Sequence, residues 1–449
     1  GMVTTVLKLQ TLASAAYRKA STYIAEMMIS PIPNIRDNGR LLYIIFPAMI
    51  FGPIKAYHRT APTIKSRLDK FNHFHWQQLF QDITRRQVRD NPTPPNHHDA
   101  SQNDTIRRQI AKAKGNGDFS RVIKLVKTGG SPPAHPNDTL ISIKAKSPQA
   151  GDKTFPNRPE STTRPPLSPA HIPPTVKPHQ ISSKDLKKII YKKASNTASP
   201  GPNGEQFRHV QIFTNADPKC LEALKLLVND QLANRNIPNY LRELIIVTLG
   251  FGTSKPKGDT RPTGLPQTLD KITGTCATYI EKKNIKAHNE PSTTPTENPY
   301  GKTQYGVNSP NGCLLAAKAI QNTLRADPNN AAAKFDAINA YNTTDRTQTK
   351  KGYCQTEVLQ PNIPYYNFKN ANKSTILVPH PNFPNNVAEL DCTVGSRQGE
   401  VRGAHDYAIA KKIAVKILKQ EFPNLTIVSI IDDLGVAGNH KELVYASIR

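Results

Sequence analysis

Three aspartates in the second half of the chain are the residues best suited to metal chemistry. Asp432 and Asp433 are adjacent and follow an apolar, β-branched run at 425–431, which predicts a strand ending in two carboxylates. Asp336 follows a short apolar segment and precedes a predicted helix. Adjacent carboxylates repel each other unless a cation lies between them, and Mg²⁺ prefers such hard oxygen ligands. Taken alone, the pair is more typical of a solvated turn, but Asp336 favours a site for two Mg²⁺ ions about 4 Å apart.

Other segments carry residue types that suit a phosphorylated ligand. Lys255 and Arg261 lie close together in a Pro- and Gly-containing turn, where ammonium and guanidinium groups can bind a triphosphate. Tyr341, five residues after Asp336, can wall a sugar pocket with its rigid ring. The glycines of GSRQG at 395–399 let the backbone approach a ligand closely, and Gln398 can hydrogen-bond in the same groove. Each segment alone is more typical of an ordinary surface turn.

Composition divides the chain into three parts. Residues 155–178 hold eight prolines among 24 residues, which predicts an extended linker and sets a boundary at 155–180. Residues 1–154 predict a basic, mostly helical N-terminal region, with two short basic helices at 105–127. Residues 181–449 mix predicted helices and strands without a regular βαβ rhythm, and we therefore expect an α+β fold.

Within residues 181–449 the patterns predict four helices and two strands. The helices are expected at 183–193, 218–234, 312–325 and 403–420, and the strands at 244–251 and 425–431. Residues 434–437 are expected to return as the hairpin partner of the second strand.

The net charge of +26 and the pI of about 9.8 predict a polyanionic partner. Residues 1–180 carry a charge of +15 and the remaining residues +11, so no single tail accounts for the excess. A phosphate backbone running across more than one part of the chain suits this distribution.

Cysteine spacing and hydropathy exclude two further classes. The five cysteines are scattered without a C-x-x-C pair, which argues against structural zinc and is typical of a reducing compartment, nuclear or cytoplasmic. The longest apolar run, 41–51, has 11 residues, fewer than the roughly 20 that cross a bilayer. We therefore predict no membrane contact, and the sequence leaves the oligomeric state open.

Six segments, in the correct order, resemble motifs of the reverse transcriptase domain of non-LTR retrotransposons. They are SPGPNG at 199–204, KPKGDTRPTGL at 255–265, QYGV at 304–307, DAINAYNTTDR at 336–346, GSRQGE at 395–400 and IIDD at 430–433. GDFSRVIKLVKTGG at 117–130 is similar to a segment that precedes this domain in some such elements. The resemblance covers about residues 105–440. Single motifs are degenerate, but six in order are specific.

The resemblance implies a right-hand polymerase fold, with fingers and a partial palm after a mostly helical N-terminal extension. It implies an RNA-directed DNA polymerase that uses an RNA template, a DNA primer, dNTPs and two Mg²⁺ ions. The roles that it implies fall to eight residues: Asp336, Asp432 and Asp433 as metal ligands, Lys255 and Arg261 on the triphosphate, Tyr341 as the steric gate against a 2′-hydroxyl, and Gln398 and Gly399 along the nucleotide and template pocket.

The chain also departs from the family pattern. Asn203 stands in place of an aspartate, Ile430 in place of an aromatic residue, and RGAH at 402–405 in place of a Pro- and Leu-rich helix start. The sequence ends 16 residues after Asp433, so we expect the thumb to be absent from it. Three readings therefore stay open: an RNA-directed DNA polymerase or its N-terminal part, a non-catalytic nucleic-acid-binding remnant, and an unrelated basic RNA-binding protein.

Overall fold

The computed structural model describes residues 14–51, 60–81, 136–146, 176–193, 199–254, 260–289, 298–337, 340–371, 373–379, 387–397 and 399–448. The predicted basic helices at 105–127, the segment 117–130 and most of the Pro-rich linker lie outside these ranges. Within them, no helix is both long and apolar enough to span a membrane.

The first part of the described chain is helical. Among the residues that the structure describes, eight α-helices precede the first strand: α1 (Ser14–Met28), α2 (Pro33–Phe51), α3 (Thr60–Asn72), α4 (Pro136–Lys146), α5 (Ser183–Lys188), α6 (Phe207–Ala216), α7 (Pro218–Ala233) and α8 (Asn239–Ile246). A π-helical turn, Ile189–Lys193, continues α5. Local chemistry sets the ends of α7, because Asp217 accepts a hydrogen bond from Lys219 N at 2.8 Å and Asn234 closes the helix at a φ of 50°.

Strands and helices mix in the second part. The strands are β1 (Thr248–Ser254), β2 (Thr260–Pro266), β3 (Asn330–Phe335), β4 (Ser374–Pro379), β5 (Val387–Cys392), β6 (Thr426–Ile430) and β7 (Asp433–Asn439). The helices are α9 (Thr268–Asn289), α10 (Gly312–Ala326), α11 (Ala340–Thr343), α12 (Arg346–Cys354), α13 (Ile363–Asn370), α14 (Gly403–Glu421) and α15 (His440–Ile448), with a 3₁₀ turn at Glu357–Asn362. The expected mixture of helices and strands is therefore confirmed.

Two separate sheets organise this part. The four-stranded sheet has the order β2-β1-β4-β5, with β1 and β4 parallel and the other neighbours antiparallel. Helix α4 packs on it and inserts Ile143 against Ile376 and Val378. The three-stranded sheet is antiparallel in the order β3-β7-β6. It lies between α10 on one face, where Ile320 approaches Gly435, and α14 and α15 on the other.

Most element predictions agree with the structure, and one was wrong. The expected helices at 312–325 and 403–420 are α10 and α14, and the expected hairpin is β6–β7. The run at 244–251 was predicted as one strand, but its first three residues end α8 and the strand begins at Thr248. A short apolar run has the same hydrophobicity in a buried helix and in a buried strand, so its pattern cannot separate them.

The N-terminal helices and the later elements share one hydrophobic core. Ile24 and Ile50, from α1 and α2, lie in the same buried cluster as Leu224 of α7 and Ile272 of α9. The described helices before the Pro-rich segment therefore pack directly on those after it. The division of the chain at 155–180 stays a prediction.

Asn203 joins α2 to the SPGPNG turn. Its Nδ2 donates to the carbonyl oxygen of Ile44 at 2.9 Å, and its Oδ1 accepts from Glu205 N at 3.0 Å. An aspartate could still accept from Glu205 but would have no donor for Ile44. This contact gives a physical reason for an asparagine at this position.

We expect Asn203→Asp to lower the free energy of unfolding by about 1–3 kcal/mol, because it places a carboxylate oxygen against a carbonyl oxygen. Urea denaturation followed by circular dichroism measures the change. Asn322→Asp, at an exposed position of α10, is the matched control. Equal effects of the two substitutions would contradict the role given to Asn203.

Candidate metal centre at the end of the three-stranded sheet

The β6–β7 hairpin presents two of the three aspartates. Ile430 pairs with Asp433, so Ile431 and Asp432 form a two-residue turn. Ile431 has a φ of 55°, in the left-handed region that β-branched residues rarely adopt. The turn is therefore strained and must be held by its surroundings.

The backbone register brings Asp336 to the same end of the sheet. Phe335 of β3 pairs with Leu434 of β7, and one further step of this register sets Asp336 opposite Asp433. Paired residues on neighbouring antiparallel strands lie about 5 Å apart between Cα atoms. Asp336 is exposed, and Asp432 and Asp433 are partly buried. Two strand ends thus carry three carboxylates to one edge.

A lysine ammonium lies among these carboxylates. Lys334 Nζ is 2.8 Å from Asp433 Oδ1. The pKa of Lys334 is raised, first by its hydrogen bond and ion pair with Asp433 and further by the charges of Asp336 and Asp432. All three carboxylates therefore act electrostatically on one cation. Among the described residues, no group of three or more His, Cys, Asp or Glu side chains is arranged to hold a metal ion.

The donor chemistry nevertheless fits magnesium. Three carboxylates are hard oxygen ligands of the kind that Mg²⁺ prefers, and the β3–β7 register and the β6–β7 turn bring them to one edge of the sheet, where Asp336 is exposed. Lys334, whose side chain is 69% exposed, occupies the charge-balancing position beside Asp433 and can move away into solvent. The assignment of Asp336, Asp432 and Asp433 as metal ligands stays a prediction.

Lys411 of α14 donates hydrogen bonds to the backbone of the hairpin turn. Its Nζ donates to three successive carbonyl oxygens, of Ile431 at 3.3 Å, Asp432 at 3.1 Å and Asp433 at 2.9 Å. Burial lowers the pKa of Lys411 to about 8, against the charges of Asp432 and Asp433, which raise it. The sequence analysis missed this residue, because one lysine in a basic amphipathic helix carries no local signal of such a contact.

Gln304, in the QYGV segment, holds the other side of the turn. Its Oε1 accepts from Ile431 N at 3.1 Å and from Gly306 N at 2.7 Å, and its Nε2 donates to Ser429 Oγ at 3.2 Å. A Cβ atom on Gly306 would lie 2.7 Å from Ile431 N, so only glycine permits this approach. The QYGV segment therefore supports the strained backbone directly.

Tyr341 lies beside the GSRQG loop and near the hairpin. Its carbonyl oxygen accepts from Ser396 N at 2.8 Å, and a Cβ atom on Gly395, whose φ is 65°, would lie 2.3 Å from that oxygen. Burial raises the pKa of Tyr341, and the charge of Asp432 raises it further. The structure thus brings Tyr341, the loop and Asp432 into one region.

Arg346 joins the GSRQG loop to two other backbone segments through hydrogen bonds. Its guanidinium donates at 3.1 Å to each of three carbonyl oxygens, those of Gly395, Asn370 and Cys392. The arginine that ends DAINAYNTTDR therefore positions GSRQG relative to the segment of Asp336 and Tyr341.

The predicted phosphate-binding residues are less fully described. Lys255 and Gln398 lie outside the described residues. Arg261 is exposed on β2, opposite Thr253, in the other sheet from the aspartates. Gly399 has a φ of 107°, and a Cβ atom there would lie 2.2 Å from Gly264 O of β2. The GSRQG loop therefore packs on the strand that carries Arg261.

A buried ionic network lies at the start of α14, and the sequence analysis missed it. Arg402 Nη2 donates to Glu281 Oε2 at 2.8 Å and to the Tyr353 hydroxyl at 3.0 Å. Glu281 also accepts from the Tyr300 hydroxyl at 2.7 Å. Burial alone would raise the pKa of Glu281, but the charge of Arg402 and these hydrogen bonds lower it. RGAH at 402–405 thus supplies the cation for a buried carboxylate of α9.

A second buried ionic network joins Arg397 of the GSRQG loop to Glu400, which directly follows the loop. Arg397 is ion-paired with Glu400 and donates to the carbonyl oxygen of Ile246, and Lys369 Nζ lies 3.4 Å from Glu400 Oε1. Burial opposes ionisation of Glu400, but Arg397 and Lys369 lower its pKa to about 2. Two opposite-charge networks therefore fix both ends of the segment 397–402.

Comparison with known proteins gives only distant similarity. No family model and no curated protein matches the sequence. One similar solved structure is apo telomerase from Candida Tropicalis, with a TM-score of 0.33, 10% identity, and coverage of 45% of this chain and 40% of that chain. Another is the same telomerase truncated from C-terminal domain, with a TM-score of 0.32, 11% identity, and coverage of 45% and 46%. The match spans less than half the length of either telomerase chain.

If the site catalyses nucleotidyl transfer, Lys411→Met should lower its kcat by about 10- to 100-fold, because small displacements of reacting groups cost about that much. The KM for dNTP should change little, since Lys411 acts through the backbone of the turn. Single-nucleotide primer extension measures both constants. Lys411→Arg should recover part of the rate, and Lys416→Met, at an exposed position of the same helix, is the control. Equal kcat values for Lys411→Met and the control would exclude this positioning role.

Proposed function

We propose that this chain is the fingers and partial palm of an RNA-directed DNA polymerase of the non-LTR retrotransposon type. The observation that supports the proposal is the register of β3 and β7, in which Phe335 pairs with Leu434, so that Asp336 follows β3 at the edge of the sheet that carries the Asp432–Asp433 turn. Asp336 lies almost 100 residues before the adjacent pair Asp432 and Asp433 in sequence, so their shared edge is a feature of the fold. Six family-like motifs in the correct order supply the reaction class.

The three aspartates would hold two Mg²⁺ ions. Metal bound there would activate the attacking 3′-hydroxyl and neutralise the leaving pyrophosphate. The chain contributes rigid positioning: β3 and β7 fix the spacing of Asp336 and Asp433, and Lys411 fixes the turn that carries Asp432. Lys334 is ion-paired with Asp433 and balances its negative charge.

The nucleotide would lie between the aspartates and the GSRQG loop. Tyr341, partly buried near Asp432, would exclude a 2′-hydroxyl with its ring. Arg261, with Lys255, would bind the triphosphate, and Gln398 and Gly399 would line the pocket. The RNA template and DNA primer would follow the basic surface of the chain.

Primer extension on an RNA template with Mg²⁺ and dNTPs tests the proposal on the chain as it exists. The proposal predicts template-directed addition of dNTPs, which chelation of Mg²⁺ stops. Absence of extension with RNA and with DNA templates would overturn it for this chain.

A second candidate is a nucleic-acid-binding remnant that has kept this fold without catalysis. The observation that favours it is the ion pair between Lys334 and Asp433, which neutralises the charge of one of the three carboxylates. The remnant would bind an RNA–DNA duplex but extend no primer, whereas the polymerase would do both.

A further inference from the structure

Helix α5 and the C-terminal half of α9 form a lysine-rich surface that the polymerase chemistry does not use. The helices are joined through Asp185, which lies 3.2 Å from Lys283 Nζ and accepts from the Tyr279 hydroxyl at 2.9 Å. Seven exposed lysines belong to α5, its π-helical continuation and α9: Lys184, Lys187, Lys188, Lys192, Lys282, Lys283 and Lys286. We call these seven residues the α5–α9 lysine surface.

Helical spacing concentrates the lysines on one side. Residues 279, 282, 283 and 286 follow the i, i+3, i+4, i+7 pattern, which makes one stripe along α9. Lys184, Lys187 and Lys188 follow the first part of the same pattern on α5, whose Leu186 is buried. The stripes face solvent, while Glu281 of α9 is buried with Arg402.

Among the described residues, three acids belong to the helical segments that carry these lysines. Asp185 is the single acid of segment 183–193, and both acids of α9, Asp270 and Glu281, are buried. At the edge of the α5–α9 lysine surface, Glu222 of α7 approaches Ser183, but it is ion-paired with Lys225 at 2.5 Å. The lysines therefore repel one another, and a polyanion that replaced their counterions would be attracted.

Tyr279 orients two ammonium groups of the α5–α9 lysine surface. The ammonium groups of Lys188 and Lys283 lie 5.6 and 5.5 Å from its ring centre, within cation–π range. Its hydroxyl is fixed on Asp185. The ring thus orients two cations and is not presented as a platform for base stacking. This surface is made of lysines, whose ammonium groups act as point charges. Such charges suit phosphates better than base edges.

We propose that the α5–α9 lysine surface binds the phosphate backbone of a nucleic acid without reading its sequence. The inference goes beyond the proposed nucleotidyl transfer, because it requires neither the aspartates nor a metal. An anionic membrane also attracts lysines, but a helix that lies on a membrane inserts large apolar side chains. Among the described residues, none of the exposed large hydrophobic side chains lies on α5 or α9.

The test compares two triple variants of equal charge change. The surface variant carries Lys187→Gln, Lys188→Gln and Lys283→Gln. The control carries Lys318→Gln, Lys416→Gln and Lys441→Gln, at exposed positions of α10, α14 and α15. Circular dichroism checks that both fold. Fluorescence anisotropy with a labelled RNA–DNA duplex, without dNTPs or Mg²⁺, measures binding over a salt series.

The surface variant should bind the duplex at least about 10-fold more weakly than the wild type at moderate salt, and the control should lose much less. The slope of log K against log salt should fall in magnitude by about 2 to 3, since each lost phosphate contact contributes about 0.9. Equal losses in both variants would overturn the proposal. So would a surface variant that keeps duplex binding but loses binding to phosphatidylserine vesicles. Because no nucleotide is added, a chain that extends no primer can still confirm this surface.

Discussion

Asp432→Asn is expected to lower the rate of primer extension by at least about 10³-fold, the scale of losing a charge-stabilising catalytic group. The substitution is nearly isosteric, so the hairpin turn and its hydrogen bonds to Lys411 and Gln304 remain possible. It removes the negative charge that a divalent cation needs. Steady-state extension on an RNA template, over a series of Mg²⁺ concentrations, measures the effect.

Two controls separate loss of chemistry from loss of binding. Asp391→Asn removes a half-buried carboxylate that is ion-paired with Lys373 on the other sheet, and it should leave extension unchanged. Duplex affinity should be equal or higher for Asp432→Asn, because one negative charge is gone. An Asp432→Asn protein that extends primers at the wild-type rate would remove Asp432 from the catalytic set.

Local patterns predicted the elements that carry the candidate site. The apolar run at 425–431 and the two aspartates after it specify a strand and a turn, and the structure has β6 and the β6–β7 hairpin there. Helical periodicity likewise predicted α10 and α14, which cover the two faces of that sheet. These features depend on residues that are close together in sequence, so a single amino-acid sequence is enough to predict them.

The supporting contacts could not be predicted in the same way. Lys411 meets the turn only because α14 crosses behind β6 and β7, and Arg402 meets Glu281 only because α14 begins beside α9. Asn203 meets Ile44 only because α2 presents a carbonyl oxygen to it. Each contact joins segments far apart in sequence, and no local spacing indicates it. The sequence shows that RGAH and Asn203 are unusual at their positions, and the structure shows which residues they contact.

Arg402→Met is expected to lower the free energy of unfolding by about 3–5 kcal/mol, because it leaves the carboxylate of Glu281 buried without its cation. Glu281 is fully buried, and the charge of Arg402 is the largest of the influences that lower its pKa. Urea denaturation measures the loss as a lower midpoint at an unchanged slope. The double variant Glu281→Gln/Arg402→Met should recover part of it, since no charge then stays buried.

The loss should depend on pH in a defined direction. In the wild type the folded-state pKa of Glu281 lies below its unfolded value, so its ionisation contributes stability above the unfolded pKa and that contribution is lost as pH falls. Without Arg402, burial dominates and raises the folded-state pKa, so the variant pays a growing penalty as pH rises above the unfolded pKa. The difference between the two proteins should therefore be largest at neutral pH and shrink towards pH about 4, near the unfolded pKa of a glutamate. A difference that stays constant over this range would show that Arg402 stabilises the fold by packing and not by its charge.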